Sequence, residues 1–258
     1  MWPILIPSKG RPNGATFKML AGAGIKYTAF VEPQELKQYS AAGVKGVSTL
    51  NRSGAGLEFA RQSILDYATA KGYKWYWTLD DDINSFSMRS QQAKTGYYHL
   101  AKAEPKEAFQ LAELTINQPG AGIGCMASRI AGMDDAGDPC GLFQCCCQVV
   151  AINVRAAAGL KYRYAPKEDK DFTAQICAAG YMSIVASQVV FNTQQMNPGG
   201  GGLKEIYDQR KDESAAELVC QQWRGFAKLY TSKRGRKDVR LNYKAIYGAG
   251  KSAMSRMA

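Results

Sequence analysis

Three adjacent aspartates, Asp80, Asp81 and Asp82, directly follow the apolar segment 74–79 of the 258-residue chain. Neighbouring carboxylates repel one another, so such a cluster favours a bound cation or polyol that compensates its charge. Asp80 and Asp82 are separated by a single residue, and their oxygens are ligands that hard divalent ions prefer. The cluster therefore predicts a Mg²⁺ or Mn²⁺ site shared with diphosphate oxygens. An acidic turn that caps the next element is the alternative.

A second acidic cluster, with the sequence EDKD at residues 168–171, precedes a predicted helix. One of its carboxylates could take a proton from a reacting hydroxyl group as a general base. The alternative is a set of ordinary first-turn acids, which stabilise a helix by complementing its dipole. From the residues alone the two interpretations stand equal.

The turns after the first two predicted strands carry groups that suit phosphate or nucleoside. Gly10 allows close backbone approach, and its neighbours Lys9 and Arg11 can pair with phosphate. This turn matches neither the P-loop nor the dinucleotide-binding glycine pattern. Glu32 follows the second predicted strand and could accept hydrogen bonds from a base or ribose, although an ordinary turn acid is slightly favoured.

Positive charge is concentrated at the C-terminal end of the chain. The net charge is +11, and residues 221–258 hold ten basic side chains against one acid, Asp238. Cations neutralise phosphates and aromatic rings stack on bases, so this basic, aromatic segment predicts nucleic-acid binding; a solubilising tail is the alternative. A membrane surface is a weaker candidate, because no amphipathic stripe is present. The predicted nucleic-acid-binding residues are Arg224, Lys228, Lys233, Arg234, Arg236, Lys237 and Arg240.

The seven cysteines lack the paired spacing of zinc sites, and His99 is the only histidine. Three of them are consecutive, which is also a poor disulfide framework. We expect residues 143–153 to form a buried strand in which cysteine acts as a small hydrophobic residue. No apolar run reaches the roughly 18–20 residues of a bilayer crossing, and the first residues lack signal-peptide features. We therefore expect a cytoplasmic protein without a membrane partner.

Apolar runs alternate with amphipathic segments through the first half of the chain. Short runs at 2–6, 27–31 and 74–79 predict strands, and the segment 53–71 predicts a helix with one apolar face. This alternation is typical of an α/β fold, in which a mostly parallel sheet lies between two layers of helices.

The second half of the chain continues the alternation and then changes in composition. We expect helices near 104–117, 169–179 and 214–230, and strands near 122–127, 143–153 and 181–190. The glycine run at 199–202 predicts a boundary between a catalytic domain and a basic extension. The predicted domains are residues 1–198 and 199–258.

The order of these motifs resembles that of the glycosyltransferase-A fold. PSKGRP follows the first predicted strand and FVEP closes the second. YWTLDDDI closes the strand predicted at 74–79, after the helix GLEFARQSILDYA, and EDKDF comes later. More narrowly, residues 2–190 are similar to the phage enzymes called TET-associated glycosyltransferases. The resemblance implies a Rossmann-like, mostly parallel mixed sheet flanked by helices, with a basic helical C-terminal extension.

The resemblance also implies roles for individual residues. Asp80 and Asp82 would hold Mn²⁺ or Mg²⁺ on the diphosphate of the donor. In inverting members a late acidic motif supplies the catalytic base, for which Asp169 and Asp171 are the candidates. The nucleotide-sugar-binding residues that it implies are Pro7, Ser8, Gly10, Arg11, Glu32, Arg61, Asp80 and Asp81.

The implied reaction moves a sugar from a nucleotide sugar, such as a UDP sugar, to a modified base of phage DNA, such as 5-hydroxymethylcytosine. It would take place in the cytoplasm of an infected bacterium. A base in duplex DNA must first be unstacked to reach a pocket, and residues 197–202 could form a lid or a plain linker. Two alternatives remain open: a nucleotidyltransferase that uses the same aspartates, and a nucleic-acid-binding protein without catalysis.

Overall fold

The computed structural model describes residues 1–89, 100–128, 140–193, 209–232 and 235–256. Within these ranges, ten strands form one large sheet and two more form a separate hairpin. The strands of the large sheet are β1 (Ile4–Pro7), β2 (Thr28–Val31), β3 (Val47–Thr49), β4 (Trp75–Leu79), β5 (Ile83–Arg89), β6 (Leu100–Ala103), β7 (Ala121–Ser128), β8 (Cys140–Leu142), β9 (Val149–Asn153) and β10 (Met182–Thr193). The hairpin consists of β11 (Ala227–Thr231) and β12 (Lys237–Leu241).

The first five helices flank this sheet, with members on both faces, and the last two pack against the fifth helix and the hairpin. They are α1 (Ala15–Gly22), α2 (Leu36–Ala41), α3 (Gly56–Ala70), α4 (Pro105–Ile116), α5 (Glu168–Ala178), α6 (Lys211–Gln222) and α7 (Tyr243–Ser255). None of the helices in the described ranges combines the length and the apolar character that a bilayer crossing requires.

The strand order across the large sheet is β3-β2-β1-β4-β9-β7-β10-β5-β6, with β8 paired to β10. The pairs β1–β2, β1–β4, β2–β3 and β7–β10 are parallel, and the other pairs are antiparallel. As a result β5, β8 and β9 run against the direction shared by the remaining strands. The predicted α/β fold with a mostly parallel mixed sheet is confirmed.

The C-terminal ends of β1, β2 and β4 lie side by side at one edge of the sheet. Pro7 is in register with Phe30 across the β1–β2 pair, and Leu5 is in register with Thr78 across the β1–β4 pair. In open α/β sheets, this edge is where ligands bind. The topology therefore brings the loops after these three strands together.

Alternate side chains of the central strands enter two separate apolar cores, as the pleat of a strand requires. Ile4 and Trp77 belong to the core that α1 and α4 cover, whereas Leu5 and Tyr76 belong to the core that α3 and α5 cover. Both faces of the sheet are covered, so every residue of β1 and β4 is buried, and all of them but Thr78 are apolar or aromatic.

A third apolar cluster joins α5 to the C-terminal part of the chain. Ala174 and Cys177 of α5 pack with Val219 of α6 and Val239 of β12. Gly250 of α7 lies so close to α5 that a side chain there would collide with the α5 backbone. The basic C-terminal residues thus cover the helix that carries the second acidic cluster.

The structure differs from the sequence prediction at the C-terminal end. The helix expected over 214–230 ends at Gln222, and residues 227–231 form β11 instead. In residues 209–232 and 235–256, the basic extension therefore contains a hairpin between two helices and is not entirely helical. The predicted boundary at 198/199 and the loop 197–202 lie outside the described residues.

Of the strand expected over residues 143–153, only residues 149–153 form a strand. β8 ends at Leu142 and β9 begins at Val149, and the intervening loop contains Phe143 and Gln148 with left-handed φ values of 56° and 62°. The three consecutive cysteines lie in this loop, where Cys146 is buried, and burial raises the pKa of its thiol well above the ordinary value. All seven cysteines are free thiols.

Candidate functional site

Each of the three aspartates after β4 has a different environment. Asp80 Oδ1 accepts a hydrogen bond from Arg61 Nη2 at 2.9 Å. Asp81 is buried, and its two oxygens accept hydrogen bonds from Arg11 Nη1 at 2.8 Å and Ser8 Oγ at 2.6 Å. Asp81 therefore ties the loop after β1 to the end of β4.

Asp82 carries the least satisfied carboxylate of the cluster. Its Oδ2 is 3.6 Å from Arg11 Nη1, and its Oδ1 is buried without a hydrogen-bond partner among the described residues. Burial and the charges of Asp80 and Asp81 raise the pKa of Asp82 to about 6. A buried carboxylate oxygen in this state gains from a cation.

The donor set of the cluster fits a hard divalent ion only in part. Asp80 and Asp82 both offer carboxylate oxygens, the ligand type that Mg²⁺ and Mn²⁺ prefer. In the described part of the chain, no three His, Cys, Asp or Glu side chains form a group that could hold a metal ion. Two carboxylates fit an ion that takes its remaining ligands from a diphosphate and from water, as Mg²⁺ commonly does.

The loop after β1 is held by residues that follow β2. Pro7 ends β1 and is buried, and the Ser8 hydroxyl lies 2.6 Å from the Tyr39 hydroxyl. The Arg11 backbone N–H donates to Tyr39 Oη at 3.0 Å, and the Gly10 N–H donates to Glu35 at 2.6 Å. The φ of Gly10 is +68°, a value that favours glycine.

Glu32 lies beside this loop and is buried. Its carboxylate accepts hydrogen bonds from Lys9 Nζ at 2.9 Å, Gln34 Nε2 at 2.6 Å and the Gly54 N–H at 2.8 Å. Burial alone would raise the pKa of Glu32, but these hydrogen bonds bring it below the ordinary value. Glu32 thus joins the loops after β1 and β3 through the hydrogen bonds it accepts.

Arg61 connects the two acidic clusters. It projects from α3, its side chain is only 9% exposed, and its Nε donates to Glu168 Oε1 at 3.1 Å while Nη2 binds Asp80. Burial alone would lower the pKa of Arg61, but the charges of Asp80 and Glu168 raise it above the ordinary value. One guanidinium group therefore holds the end of β4 against the start of α5.

The two candidate bases on α5 have different surroundings. Asp169 lines a small cavity with Arg61 and Cys147, and its Oδ1 accepts a hydrogen bond from the Lys170 N–H at 2.7 Å. Burial raises the pKa of Asp169, while Lys170 lowers it in part. Asp169 thus shares this cavity with Arg61, the residue that binds Asp80.

Asp171 is fully buried and its oxygens are occupied. Arg163 donates to both oxygens at 3.0 and 2.8 Å, Gln175 Nε2 donates to Oδ2 at 2.7 Å, and Trp223 Nε1 donates to Oδ1 at 2.9 Å. Because Trp223 follows α6, this carboxylate fastens the C-terminal part of the chain to α5.

Two residues of the site have no individual role in the sequence prediction: Glu168, which belongs to the predicted acidic cluster but is not one of the two candidate bases, and Tyr39. Glu168 is buried, its Oε2 lacks a hydrogen-bond partner in the described ranges, and burial with the charge of Asp169 raises its pKa to about 7. Its place directly before Asp169 was a usable signal. Tyr39 contacts both Ser8 and Arg11, and no pattern in the sequence distinguishes it from a core tyrosine.

The predicted nucleic-acid-binding residues lie in the C-terminal part and differ in their partners. Arg224, Lys228 and Arg240 are exposed. Arg236 Nη1 is 3.3 Å from Asp212, and Lys237 Nζ is 2.7 Å from Glu217. Lys233 and Arg234 lie outside the described residues, as does His99.

Comparisons with solved structures give low similarity. The CMP:2-keto-3-deoxy-manno-octonic acid synthetase complexed with CTP is 11% identical, with 85% of this chain and 98% of that one covered and a TM-score of 0.47. A197 from STIV is 15% identical, with 75% of this chain and 86% of that one covered and a TM-score of 0.44. A protein described as a nucleotide-diphospho-sugar transferase from Desulfovibrio desulfuricans G20 is 12% identical, with 86% of this chain and 98% of that one covered and a TM-score of 0.43.

The comparison with protein families is specific. No curated protein matches the chain, whereas the model of the TET-Associated Glycosyltransferase family matches residues 2–202. That range contains β1 with its loop, the three aspartates, Arg61 and the acidic start of α5. The chain therefore belongs to the TET-associated glycosyltransferase family and is a transferase whose fold is a mixed α/β sheet flanked by helices.

Proposed function

We propose that the protein transfers a sugar from a nucleotide sugar, such as a UDP sugar, to a hydroxyl group on a modified base of DNA, such as 5-hydroxymethylcytosine. The observation that carries this proposal is the Arg61 contact with both Asp80 and Glu168, at 2.9 and 3.1 Å. It brings the cluster suited to a diphosphate next to the cluster suited to proton transfer. Glycosyl transfer needs both functions at one site.

Asp80 and Asp82 are the residues that would hold a Mn²⁺ or Mg²⁺ ion. The unpartnered Oδ1 of Asp82 supports this assignment. When bound, such an ion neutralises the negative charge that develops on the leaving diphosphate.

Arg11 and Arg61 are expected to have different roles toward the donor. The Arg11 side chain is 33% exposed and can extend toward a phosphate, although one of its nitrogens already binds Asp81. Arg61 is buried between its two carboxylate partners. We assign Arg11 to phosphate contact and Arg61 to positioning. Ser8, Tyr39 and Asp81 hold the loop that carries Arg11.

Asp169 is the better candidate for the catalytic base. It lines the cavity beside Arg61, and its raised pKa makes it a stronger proton acceptor than an exposed aspartate. It would accept the proton of the acceptor hydroxyl as that oxygen bonds to the anomeric carbon and the diphosphate leaves with its bonding electrons. Asp171 already accepts four hydrogen bonds and is assigned a structural role.

The choice of DNA as acceptor is supported by the charge of the C-terminal part. Ten basic residues against one acid lie in residues 221–258, and the structure joins this segment to the helix that carries Asp169. A base in a duplex would have to leave its stack to reach the site. Free cysteines are usual in the cytoplasm, which is where we place the reaction, inside an infected bacterium if a phage encodes the protein.

The test is to incubate the protein with modified and unmodified DNA and a panel of nucleotide sugars, with and without Mn²⁺. The DNA is then digested and its nucleosides are weighed by mass spectrometry. We expect a modified nucleoside heavier by one sugar residue, lost in Asp169→Asn and retained in the matched control Asp66→Asn on the exposed side of α3. Addition of a nucleotide instead, or no product with any sugar, would contradict the proposal.

A further inference from the structure

One face of the β11–β12 hairpin carries charged and aromatic side chains, most of them exposed. Its register pairs Lys228 with Arg240 and Tyr230 with Asp238, and paired residues share a face of a two-stranded ribbon. Val239 and Leu241 belong to the other face and are buried in the apolar cluster with α6 and α7, whereas Leu229 on that face is 44% exposed. Lys228, Tyr230 and Arg240 are exposed. We refer to Lys228, Tyr230, Asp238 and Arg240 as the open face.

A continuous series of contacts leads from the open face to the candidate base. The Arg240 guanidinium lies 5.3 Å from the centre of the Tyr230 ring, and the Tyr230 hydroxyl donates to Asp238 Oδ2 at 3.2 Å. Asp238 Oδ1 in turn accepts from Lys170 Nζ at 2.8 Å. The backbone N–H of Lys170 donates to Asp169. The open face is therefore continuous with the proposed site of proton transfer.

The charge balance along this path is positive. Asp238, the one carboxylate of the open face, binds both Lys170 and Lys167, the latter at 3.0 Å. Lys228 and Arg240 have no carboxylate partner in the described parts of the chain, in contrast to Arg236 and Lys237. An excess of cations beside an exposed tyrosine suits a polymer with phosphates and unstacked bases.

We infer that the open face of the hairpin binds the DNA strand that carries the acceptor base. Lys228 and Arg240 contact its phosphates, Tyr230 stacks on a base next to the target, and the strand runs past Lys167 and Lys170 toward Asp169. This inference rests on the proposed function. Of the seven predicted nucleic-acid-binding residues, it assigns the contact with the acceptor strand to Lys228 and Arg240, on the face of the hairpin that leads to Asp169.

The experiment compares three double variants, each of which removes two positive charges. Lys228→Gln/Arg240→Gln alters the open face. Arg224→Gln/Lys237→Gln alters the same segment away from that face, since Lys237 is in register with Thr231 and Arg224 lines a groove with Leu229. Lys26→Gln/Lys45→Gln is the matched control, with two exposed lysines that precede β2 and β3 at the opposite edge of the sheet. All the altered side chains are exposed, so melting temperatures check that each variant folds.

Binding of a labelled single-stranded DNA that contains the modified base is measured by fluorescence anisotropy at several salt concentrations. We expect the open-face variant to bind at least about tenfold more weakly. The slope of log K against log salt should fall in magnitude by about 1.4, the value for two lost phosphate contacts with a single strand. The KM for DNA should rise while donor hydrolysis without DNA stays unchanged. The control pair should bind within about twofold of the original chain.

Equal weakening by Arg224→Gln/Lys237→Gln, or no weakening by the open-face variant, would overturn the inference. Tighter binding of the same sequence as RNA would overturn the choice of DNA. The unaltered protein is assayed for sugar transfer to the same DNA. If it transfers sugar while the open-face variant keeps its KM, the surface assignment alone is wrong. If the unaltered protein modifies no DNA, the proposed function fails and the inference fails with it.

Discussion

Arg61 of α3 and Glu168 of α5 form a buried ion pair, with Nε of the arginine 3.1 Å from Oε1 of the glutamate. The same guanidinium binds Asp80 at the end of β4. Two helices on one face of the sheet and the tip of a central strand are thus fixed relative to one another. In the proposed reaction this fixes the donor diphosphate relative to the base that deprotonates the acceptor.

Replacing Arg61 with lysine tests whether the fork of the guanidinium matters or only its charge. Lysine keeps the positive charge but cannot bind two carboxylates with separate, rigidly held nitrogens. We expect kcat to fall about 100-fold with little change in the KM for the nucleotide sugar, because positioning errors near 1 Å have this effect. Unchanged kcat in a variant of normal melting temperature would contradict a positioning role for Arg61.

Asp169→Asn and Asp171→Asn should have opposite effects on activity and stability. We expect Asp169→Asn to lower kcat by about 10²–10⁴-fold, the usual contribution of a general base, with the melting temperature nearly unchanged. Asp171→Asn should reduce the free energy of unfolding by about 1–3 kcal/mol, because its charged hydrogen bonds hold Trp223 and Arg163. Steady-state kinetics and urea denaturation measure the two effects. If the Asp171→Asn variant were stable but inactive, Asp171 would be the catalytic base and Asp169 the structural residue.

Much of this site is predictable from the sequence because its parts are local. The apolar strand before Asp80 and the acids at the start of α5 can each be read from about ten residues of chain. The different roles of Asp169 and Asp171 are not local, because Asp171 is satisfied by Trp223, which lies far along the chain. The tie through Arg61 likewise exists only once α3 and α5 share a face of the sheet.

The fold prediction has the same limits. The parallel half of the sheet follows from the alternation of apolar and amphipathic segments. The loop at residues 143–148 could not be predicted in this way, because cysteine and valine have similar hydrophobicity. The loop depends instead on the left-handed backbone angles of Phe143 and Gln148. The helix expected over 214–230 includes most of β11, and residues such as Leu229 and Tyr230 suit either a helix or a strand. The antiparallel pairing of β11 with β12 stabilises this segment as a strand.

Glu32→Gln should change the pH dependence of stability. The folded-state pKa of Glu32 is below its ordinary value, so the ionised carboxylate stabilises the fold above the unfolded-state pKa, and this contribution is lost as the pH falls through the folded pKa. We expect the variant to be less stable than the original chain by about 1–3 kcal/mol at pH 7. The difference should shrink below about pH 4. Urea denaturation from pH 3 to pH 7 measures it, and a constant difference would contradict the role of the charge.

Asp82→Ala should abolish the stabilisation that a nucleoside diphosphate provides together with Mn²⁺. For the original chain, ligand at 100 times its Kd is expected to add about 2.7 kcal/mol to the free energy of unfolding. The variant should show no such gain, while Asp66→Ala should match the original. Differential scanning fluorimetry with UDP, GDP and CDP, each with and without Mn²⁺, measures the effect. If the Asp82→Ala variant were still stabilised by a nucleoside diphosphate with Mn²⁺, Asp82 would not be a ligand of the ion.

The most direct test of the central claim, that the aspartates after β4 and the start of α5 form one transferase site, is a crystal structure with a nucleotide sugar and Mn²⁺, in which anomalous scattering locates the ion. We predict that the ion contacts Asp80 or Asp82 together with the diphosphate, and that Asp169 is the carboxylate nearest the anomeric carbon. A diphosphate bound elsewhere, with Asp80 and Asp82 remote from any ion, would contradict the claim.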